Sequence, residues 1–524
     1  MNKFIRLIYS QYLFRQVPRN CESSANTAKN SRTKRIQRTV HFILSLLLAC
    51  GLLKPIQSLA IYDENGNQNF SRLQMNLNSI INRFRGYHIG VAIQSLATGK
   101  MLYQYHANDR FIPASTLKLF TGVAALDYLG PNYQFKTHFL TNPAAKVVNG
   151  VLKGNLYIKF SGDPYLTLED LKDMFDTLSE QHIKSVQGNI VIDDTVIDRN
   201  TWPPGRVIDD KIFCYAAPVT ATIINRNCFS LSVKPNKLPH PTVVKSNSNL
   251  GIVIDNQAVT KRLRRSSYSL DLKPSAIHSN NHYTLKGYLS PKMGPLSFAV
   301  ALQNPNLATY DILASLLRKY SIHYNNIVYG KTPPMAKMLA ENSSPELSFL
   351  IKNMLKKSDN LIADSLLKKL GEQYFSAQGS WKTGCNAVQA ILASKTGISF
   401  KHVIMIDGSG LSLNDSVTPN DFVKLLNFAY TQLPESKLFF ESLPSSGRDG
   451  TLKNRLGGDM LGRVHAKTGS MHGISSLAGY IRTSNNQVLA FSILINDPIP
   501  GKNNQCGYRL LENRICEFLA RSSL

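Results

Sequence analysis

The sequence predicts an α+β fold, an antiparallel sheet flanked by helices and split by mostly-β inserted domains. Three observations predict it. Two strand patterns and a helix occupy residues 90–129. Helical periodicity returns over 345–395 and gives way to two further strand patterns and a last helix. Between these lies a long tract of short strand-like pieces separated by turns. The chain has 524 residues, room for about three or four units at roughly 100–200 residues each.

Residues 1–60 read as an export leader. They hold ten Lys or Arg and one acid, Glu22. Val40 to Leu53 is an almost uncharged apolar run, short of the ~18–20 residues that a membrane-spanning helix needs. Basic residues precede it, and Ser58-Leu59-Ala60 offers a small-x-small cleavage site. Leu47-Leu48-Ala49-Cys50-Gly51 also resembles a bacterial lipobox, which would leave Cys50 as an acylated N-terminus. Cleavage near Ala60, lipidation at Cys50 and an uncleaved anchor all place the body outside the cytoplasm, in a periplasm or at the outer face of the membrane.

The first part of the main domain, 61–133, starts with a helix over Ser71–Arg85. Strands follow at Gly90–Ser95 and Lys100–Tyr105, with Thr98-Gly99 as the turn. Pro113 suits a helix entrance. Beyond it Leu117, Phe120, Val123, Ala124 and Leu129 keep helical spacing until Gly130. Residues 134–340 read as two inserted β-rich domains, with strands at Gly154–Phe160, Gly188–Asp193, Phe229–Val233, Gly251–Asp255 and His282–Leu289. Within them, Lys261-Arg262-Leu263-Arg264-Arg265 reads as a solvated basic turn, with contact to anionic wall material as the sharper reading. The second part of the main domain, 341–524, holds the helical stretch around Leu350, Met354, Leu361, Leu366 and Leu370. Strands at Ser476–Arg482 and Gln487–Asn496 and a helix over Tyr508–Leu519 close the chain.

Sixty basic residues stand against 34 acidic, a net charge of +26, and without the leader the balance is +17. Such a surface favours anionic partners. No nucleic-acid motif is present, so nucleic acid is not an expected partner. Apolar residues make up 43%, which argues against wholesale disorder. Five of the seven cysteines follow residue 60. Cys214 and Cys228 can close a short loop, which an exported protein permits. Cys506 and Cys516 cannot pair if one continuous helix carries both, since ten residues rise ~15 Å. No Cys-x-x-Cys or paired His/Cys set indicates a metal, and no cofactor is predicted.

The chemistry lies in three short motifs in order: Ser115-Thr116-Leu117-Lys118, Ser358-Asp359-Asn360 and Lys467-Thr468-Gly469. A serine hydroxyl needs a base to attack, and positions i and i+3 share a helix face, so Lys118 can reach Ser115. It serves as a base only when neutral, which burial and the neighbouring cation Lys467 favour. Ser358 can relay a proton between Lys118 and a leaving amine. Asn360 can hold Lys118 and the substrate amide. Lys467 and Thr468, on an expected edge strand, can bind a terminal carboxylate, and Gly469 lets a substrate backbone approach. The backbone N–H groups of Ser115 and Ser470 would form an oxyanion hole. Each motif alone is weak, and their order and setting carry the weight.

This set resembles that of penicillin-binding proteins and serine β-lactamases. Further stretches narrow the resemblance: Pro113 to Lys118, Gly154 to Tyr157 with Ser161 to Pro164, Gly188 to Asp193, Cys214 to Pro218, Asn225 to Asn227, Lys357 to Asn360, Asp407 to Ser412, Gly447 to Thr451 and Ala466 to Ser470. From about residue 70 onward the sequence is similar to the class C low-molecular-mass penicillin-binding proteins, the type 4 D-alanyl-D-alanine carboxypeptidase/endopeptidases. The 243 residues from Ser115 to Ser358 fit that group, whose D,D-peptidase domain is split by small inserted domains. The resemblance implies a penicillin-binding-protein/serine β-lactamase-like domain, peptidoglycan peptides as substrate and β-lactam antibiotics as ligands. It also implies that Asp210 grips the amino group of diaminopimelate, where a plain surface acid beside Asp209 is the alternative. Leu413 stands where relatives often carry arginine, which puts recognition of a crosslink carboxylate in doubt. His465 and His472 flank the third motif and read first as ordinary strand and loop positions, with substrate lining as the second reading. The rival readings are a β-lactamase and a penicillin or muropeptide sensor. No Glu-x-x-Leu-Asn deacylation motif lies within 361–466 to support the first, and no receptor-like span supports the second. The balance of carboxypeptidase and endopeptidase activity, a peripheral or lipid anchor and a homo-oligomer stay open.

Overall fold

The computed structural model describes residues 68–523 apart from Arg85, Pro239, 247–250, 264–265, 276–279 and 501–503. The expected leader, with Cys50 and the site at Ala60, lies outside the described residues, as do Arg264 and Arg265 of the basic run. The chain divides into an N-terminal unit, Met1–Ser79, and a body, Ile80–Leu524. The predicted first helix runs over Gln68–Ile81. Among the described residues no helix is long and apolar enough to cross a membrane.

Strands β1 (His88–Ser95) and β2 (Met101–Tyr105) share one antiparallel sheet with β3 (Val464–Met471), β4 (Ile474–Arg482) and β5 (Val488–Asn496), in the order β3-β4-β5-β1-β2. The two ends of the chain therefore meet at the centre of the sheet, with Val91 opposite Ile493 and Ser95 opposite Leu489. Side chains alternate between the faces of a strand. Nearly every position of β4 and β5 is buried, so both faces are covered, which explains the almost unbroken apolar run of β5. Helix α5 (Pro419–Thr431) packs on β1 and β5, and α6 (Asn504–Arg521) packs on β4. Helices α1 (Lys118–Leu129), α2 (Leu347–Lys357), α3 (Asn360–Phe375) and α4 (Trp381–Thr396) join the same core, in which Phe120, Leu350, Ile362 and Leu494 are fully buried. Cys506 and Cys516 both lie on α6, the arrangement that keeps them from pairing.

The described residues of 136–343 form four further sheets. The largest takes the order Ile327–Tyr329, Ile190–Asp193, Leu156–Lys159, Lys136–Thr141, Lys337–Ser343 and has its own core around Phe139, Ile158, Phe175 and Leu313. The strand expected at His282–Leu289 spans those residues, and the others fall within a few residues of expectation. Two helices were not anticipated, Leu168–Glu180 and Pro305–Lys319. Their start signals are in the sequence: Thr167 and Asp170 form a capping box, and Asn304 caps the helix that Pro305 opens. A disulfide joins Cys214 to Cys228, with their Cα atoms 5.9 Å apart.

Candidate active site

Ser115 sits in a 3-10 turn, Ala114–Leu117, that runs directly into α1. Ala114 enters it at φ 48°, a left-handed conformation that costs a non-glycine residue about 1–2 kcal/mol. Surrounding contacts hold it there. The Pro113 carbonyl accepts from Thr116 Oγ1 at 2.7 Å and from Ser476 Oγ of β4 at 2.6 Å. Asn496 of β5 accepts from the Ile112 N–H at 2.8 Å and donates to its carbonyl at 3.2 Å. The Ser115 turn is thus tied to the middle of the sheet.

Lys118 is fully buried. Its Nζ lies 2.9 Å from Ser115 Oγ, 2.7 Å from Asn360 Oδ1 and 2.6 Å from the Ser409 carbonyl. A neutral amine has two N–H bonds and one lone pair. Two of these neighbours can only accept, so the lone pair is left to face the Ser115 hydroxyl. Burial is the largest influence on the amine and lowers its pKa to about 8; Asp364, Asp407 and Asp359 oppose the shift, and Arg206 adds to it.

The second motif interrupts two helices, as its sequence suggested. Ser358 ends α2 in a left-handed conformation, and the Asp359 side chain caps α3 by accepting from the Ile362 N–H at 3.2 Å. This break brings Ser358 Oγ within 2.9 Å of Lys467 Nζ. Asn360 donates its amide N–H to the Tyr215 carbonyl at 2.7 Å, so its carbonyl oxygen is fixed toward Lys118.

The third motif lies on β3, an edge strand, but its residues divide. Lys467 is fully buried and donates to Ser358 and, at 2.7 Å, to the Thr468 carbonyl. Burial, and then the charge of Lys118, push its pKa well down. Thr468 and Ser470 are the outer residues. Thr468 Oγ1 donates to Thr451 Oγ1 at 2.7 Å, and Ser470 Oγ to Gln505 of α6 at 3.1 Å. Gly469 lies between Thr468 and Ser470 and is buried. A Cβ there would collide with Ser476 Oγ and come within 2.8 Å of the Pro113 carbonyl, so this glycine makes room for the Ser115 turn.

Asp210 lies in the short turn Ile208–Ile212 and hydrogen-bonds the Tyr215 hydroxyl; burial raises its pKa. The Tyr215 backbone in turn holds Asn360, which puts Asp210 at the margin of the site. Leu413 is 43% exposed, and its N–H donates to the Gly205 carbonyl at 3.2 Å, so it borders the segment that leads to Asp210. His465 stacks on Phe440 with ring centres 4.4 Å apart, an ordinary wall position. The structure adds residues to which the sequence assigned no role: the Ser409 carbonyl, Ser476, Thr451 and the buried cluster of Arg206, Asp364 and Asp407. Gly410 belongs with them. It lies at φ 78°, and a Cβ would strike the Ala114 carbonyl and come within 3.2 Å of Leu117 Cβ. Gly410→Ala is expected to cost about 2–4 kcal/mol in urea unfolding and to slow acylation at Ser115. Wild-type stability together with a wild-type rate would refute this account of the turn.

A serine beside a buried amine of lowered pKa, on an antiparallel sheet enclosed by helices, is the arrangement that an active-site-serine peptidase requires. Residues 73–514 match the D-Ala-D-Ala carboxypeptidase 3 (S13) family. The chain is 34% identical over 419 residues to D-alanyl-D-alanine carboxypeptidase DacB of Haemophilus influenzae, covering 78% of this chain and 86% of that one. It is 30% identical over 429 residues to the D-alanyl-D-alanine carboxypeptidase of Actinomadura sp., covering 78% and 77%. The crystal structure of penicillin binding protein 4 from Haemophilus influenzae superposes with a TM-score of 0.78 at 31% identity, covering 85% of this chain and all of that one. The same protein complexed with a β-lactam gives 0.73. The protein belongs to the D-Ala-D-Ala carboxypeptidase 3 (S13) family and is a serine-type peptidase. The resemblance to type 4 penicillin-binding proteins and the expected fold class are borne out.

Proposed function

We propose that this protein hydrolyses the D-Ala-D-Ala ends of peptidoglycan stem peptides, and D-alanyl crosslinks, through an acyl-enzyme on Ser115. The contact that carries the reading is Lys118 Nζ at 2.9 Å from Ser115 Oγ, with its other neighbours oriented so that the lone pair faces the serine. Lys118 takes the hydroxyl proton as Ser115 attacks the carbonyl carbon. The backbone N–H groups of Ser115 and Ser470 stabilise the oxyanion. The proton passes through Ser358, held by Lys467 at 2.9 Å, to the departing D-alanine or crosslink amine. Water then cleaves the ester by the reverse proton path, and Ser115 is restored. Thr468 and Ser470 meet the terminal carboxylate, with Lys467 beneath them holding Ser358 and the Thr468 carbonyl. Asp210 faces the side-chain amine of a diaminopimelate residue. A β-lactam acylates Ser115 in the same way, and its tethered leaving group stays in the site and slows hydrolysis.

The substrate fits the leader read from the sequence, which directs the body out of the cytoplasm to a periplasm or the outer membrane face. The residues between 134 and 340 would form two inserted domains. The test is to incubate the protein with purified disaccharide pentapeptide and with crosslinked dimers and to read products by mass spectrometry. Release of free D-alanine and splitting of dimers are the expected results. Neither product, with Ser115 still labelled by penicillin, would overturn the proposal in favour of a sensor.

A further inference from the structure

We propose that the inserted region tunes the proton affinity of Lys118, because its Arg206 and Arg226 pair with the three carboxylates that act on the lysine. This inference rests on the reading of Lys118 as the base. Asp364 on α3, Asp407 in the loop before α5 and Asp359 at the start of α3 are the acids that act on Lys118. None of them is left unpaired. Arg206 Nη2 lies 3.1 Å from Asp364 Oδ2 and 2.9 Å from Asp407 Oδ2, and all three side chains are almost wholly buried. Arg226 Nη2 lies 2.8 and 2.6 Å from the two oxygens of Asp359. Both arginines come from the long segment between the first two motifs. All three acids come from the part of the chain that follows it.

The close fit of the two parts supports a built arrangement. Gly205, at φ 73°, has no room for a Cβ beside Ser412 and Asn414. Ser412 Oγ donates to the Pro204 carbonyl at 2.8 Å. Asp407 also accepts from the N–H groups of Ser409, Gly410 and Ser412 at 3.0, 2.6 and 3.0 Å, which folds the loop so that the Ser409 carbonyl reaches Lys118. Burial works against charge on Arg206, but Asp364 and Asp407 more than offset it. Other ionisable groups stand close. Lys467 is a second buried amine beside Lys118, with its pKa pushed well down by burial and by that neighbour, and Lys368 interacts with Asp364. Burial, and then the charge of Asp407, push the pKa of Asp415 well up. Unopposed, three carboxylates would hold Lys118 as an ammonium ion, unable to accept the serine proton.

The readout is the pH profile of acylation by a fluorescent penicillin. Arg206→Met is expected to move the acidic limb up by about one to three pH units and to slow acylation most at low pH. Arg226→Gln, at a half-exposed site, should move it the same way by less. Asp359→Asn retains a capping side chain and should move it down. If Arg206→Met does not fold, the opposite shifts of Arg226→Gln and Asp359→Asn still decide the matter. Limbs unchanged in these variants, whatever happens to rate or melting temperature, would make the arginines structural only and overturn the inference. The reading of Lys118 as base fails differently, by the absence of any acidic limb in the unaltered protein.

Discussion

Ser115→Ala is expected to abolish covalent labelling by penicillin completely while the protein keeps its melting temperature. The rival nucleophile is Ser358, whose hydroxyl also lies beside a buried lysine, Lys467, at 2.9 Å. Geometry separates the two. Lys467 has the Ser358 hydroxyl and the Thr468 carbonyl as neighbours. Lys118 has two neighbours that can only accept, and so its lone pair faces Ser115. Ser115 also opens a helix toward the edge strand β3, where a substrate can align. Intact-protein mass after incubation with a penicillin measures the adduct, and a peptide map locates it. An adduct that persists in Ser115→Ala and vanishes in Ser358→Ala would reverse the assignment. Loss in both would fit Ser115 as nucleophile with Ser358 in its proton path.

How far this site could be read from sequence depended on how local its parts are. Each motif is a contiguous segment whose residue types fix its conformation: a proline-led helix entrance, a helix break with a capping aspartate, a strand. Those were legible. Sheet order was not, since β1 pairs with β5 from the far end of the chain and nothing in either strand names its partner. Family resemblance supplied that closure. Asn225-Arg226-Asn227 and Asp407 to Ser412 were recognised as family marks but given no task. Their task is to make ion pairs and loop contacts with residues distant in sequence, and such pairs leave no periodicity. Gly469 shows a second kind of hidden contact. Its missing side chain accommodates Pro113 and Ser476, which lie far from it or on another strand, and no local pattern announces that fit. The helices Leu168–Glu180 and Pro305–Lys319 carried capping signals that the surrounding strand and turn patterns outweighed.

The second large effect concerns the base. Lys118→Met is expected to lower the acylation rate by about 10²–10⁴-fold, the range that a positioned general base supplies. The sign of the pH dependence follows from the neutral amine being the active form. In the unaltered protein the lysine has a pKa of about 8. Acylation should therefore fall roughly tenfold per unit as pH drops below that value and level off above it. The variant has no such group, so its residual rate should lack this limb. Its stability is set by two opposing effects. Removing a buried amine relieves a desolvation penalty, while Asn360 Oδ1 and the Ser409 carbonyl each lose a donor, at about 1–3 kcal/mol for an unsatisfied buried group. A modest change in melting temperature is expected, too small to explain the loss of rate. Stopped-flow labelling across pH 5–10, with thermal melts at each end, distinguishes these outcomes. A variant that kept both the limb and a rate within tenfold of the original would transfer the role of base to Lys467, the only other lysine amine in hydrogen-bonding reach of a motif serine among the described residues.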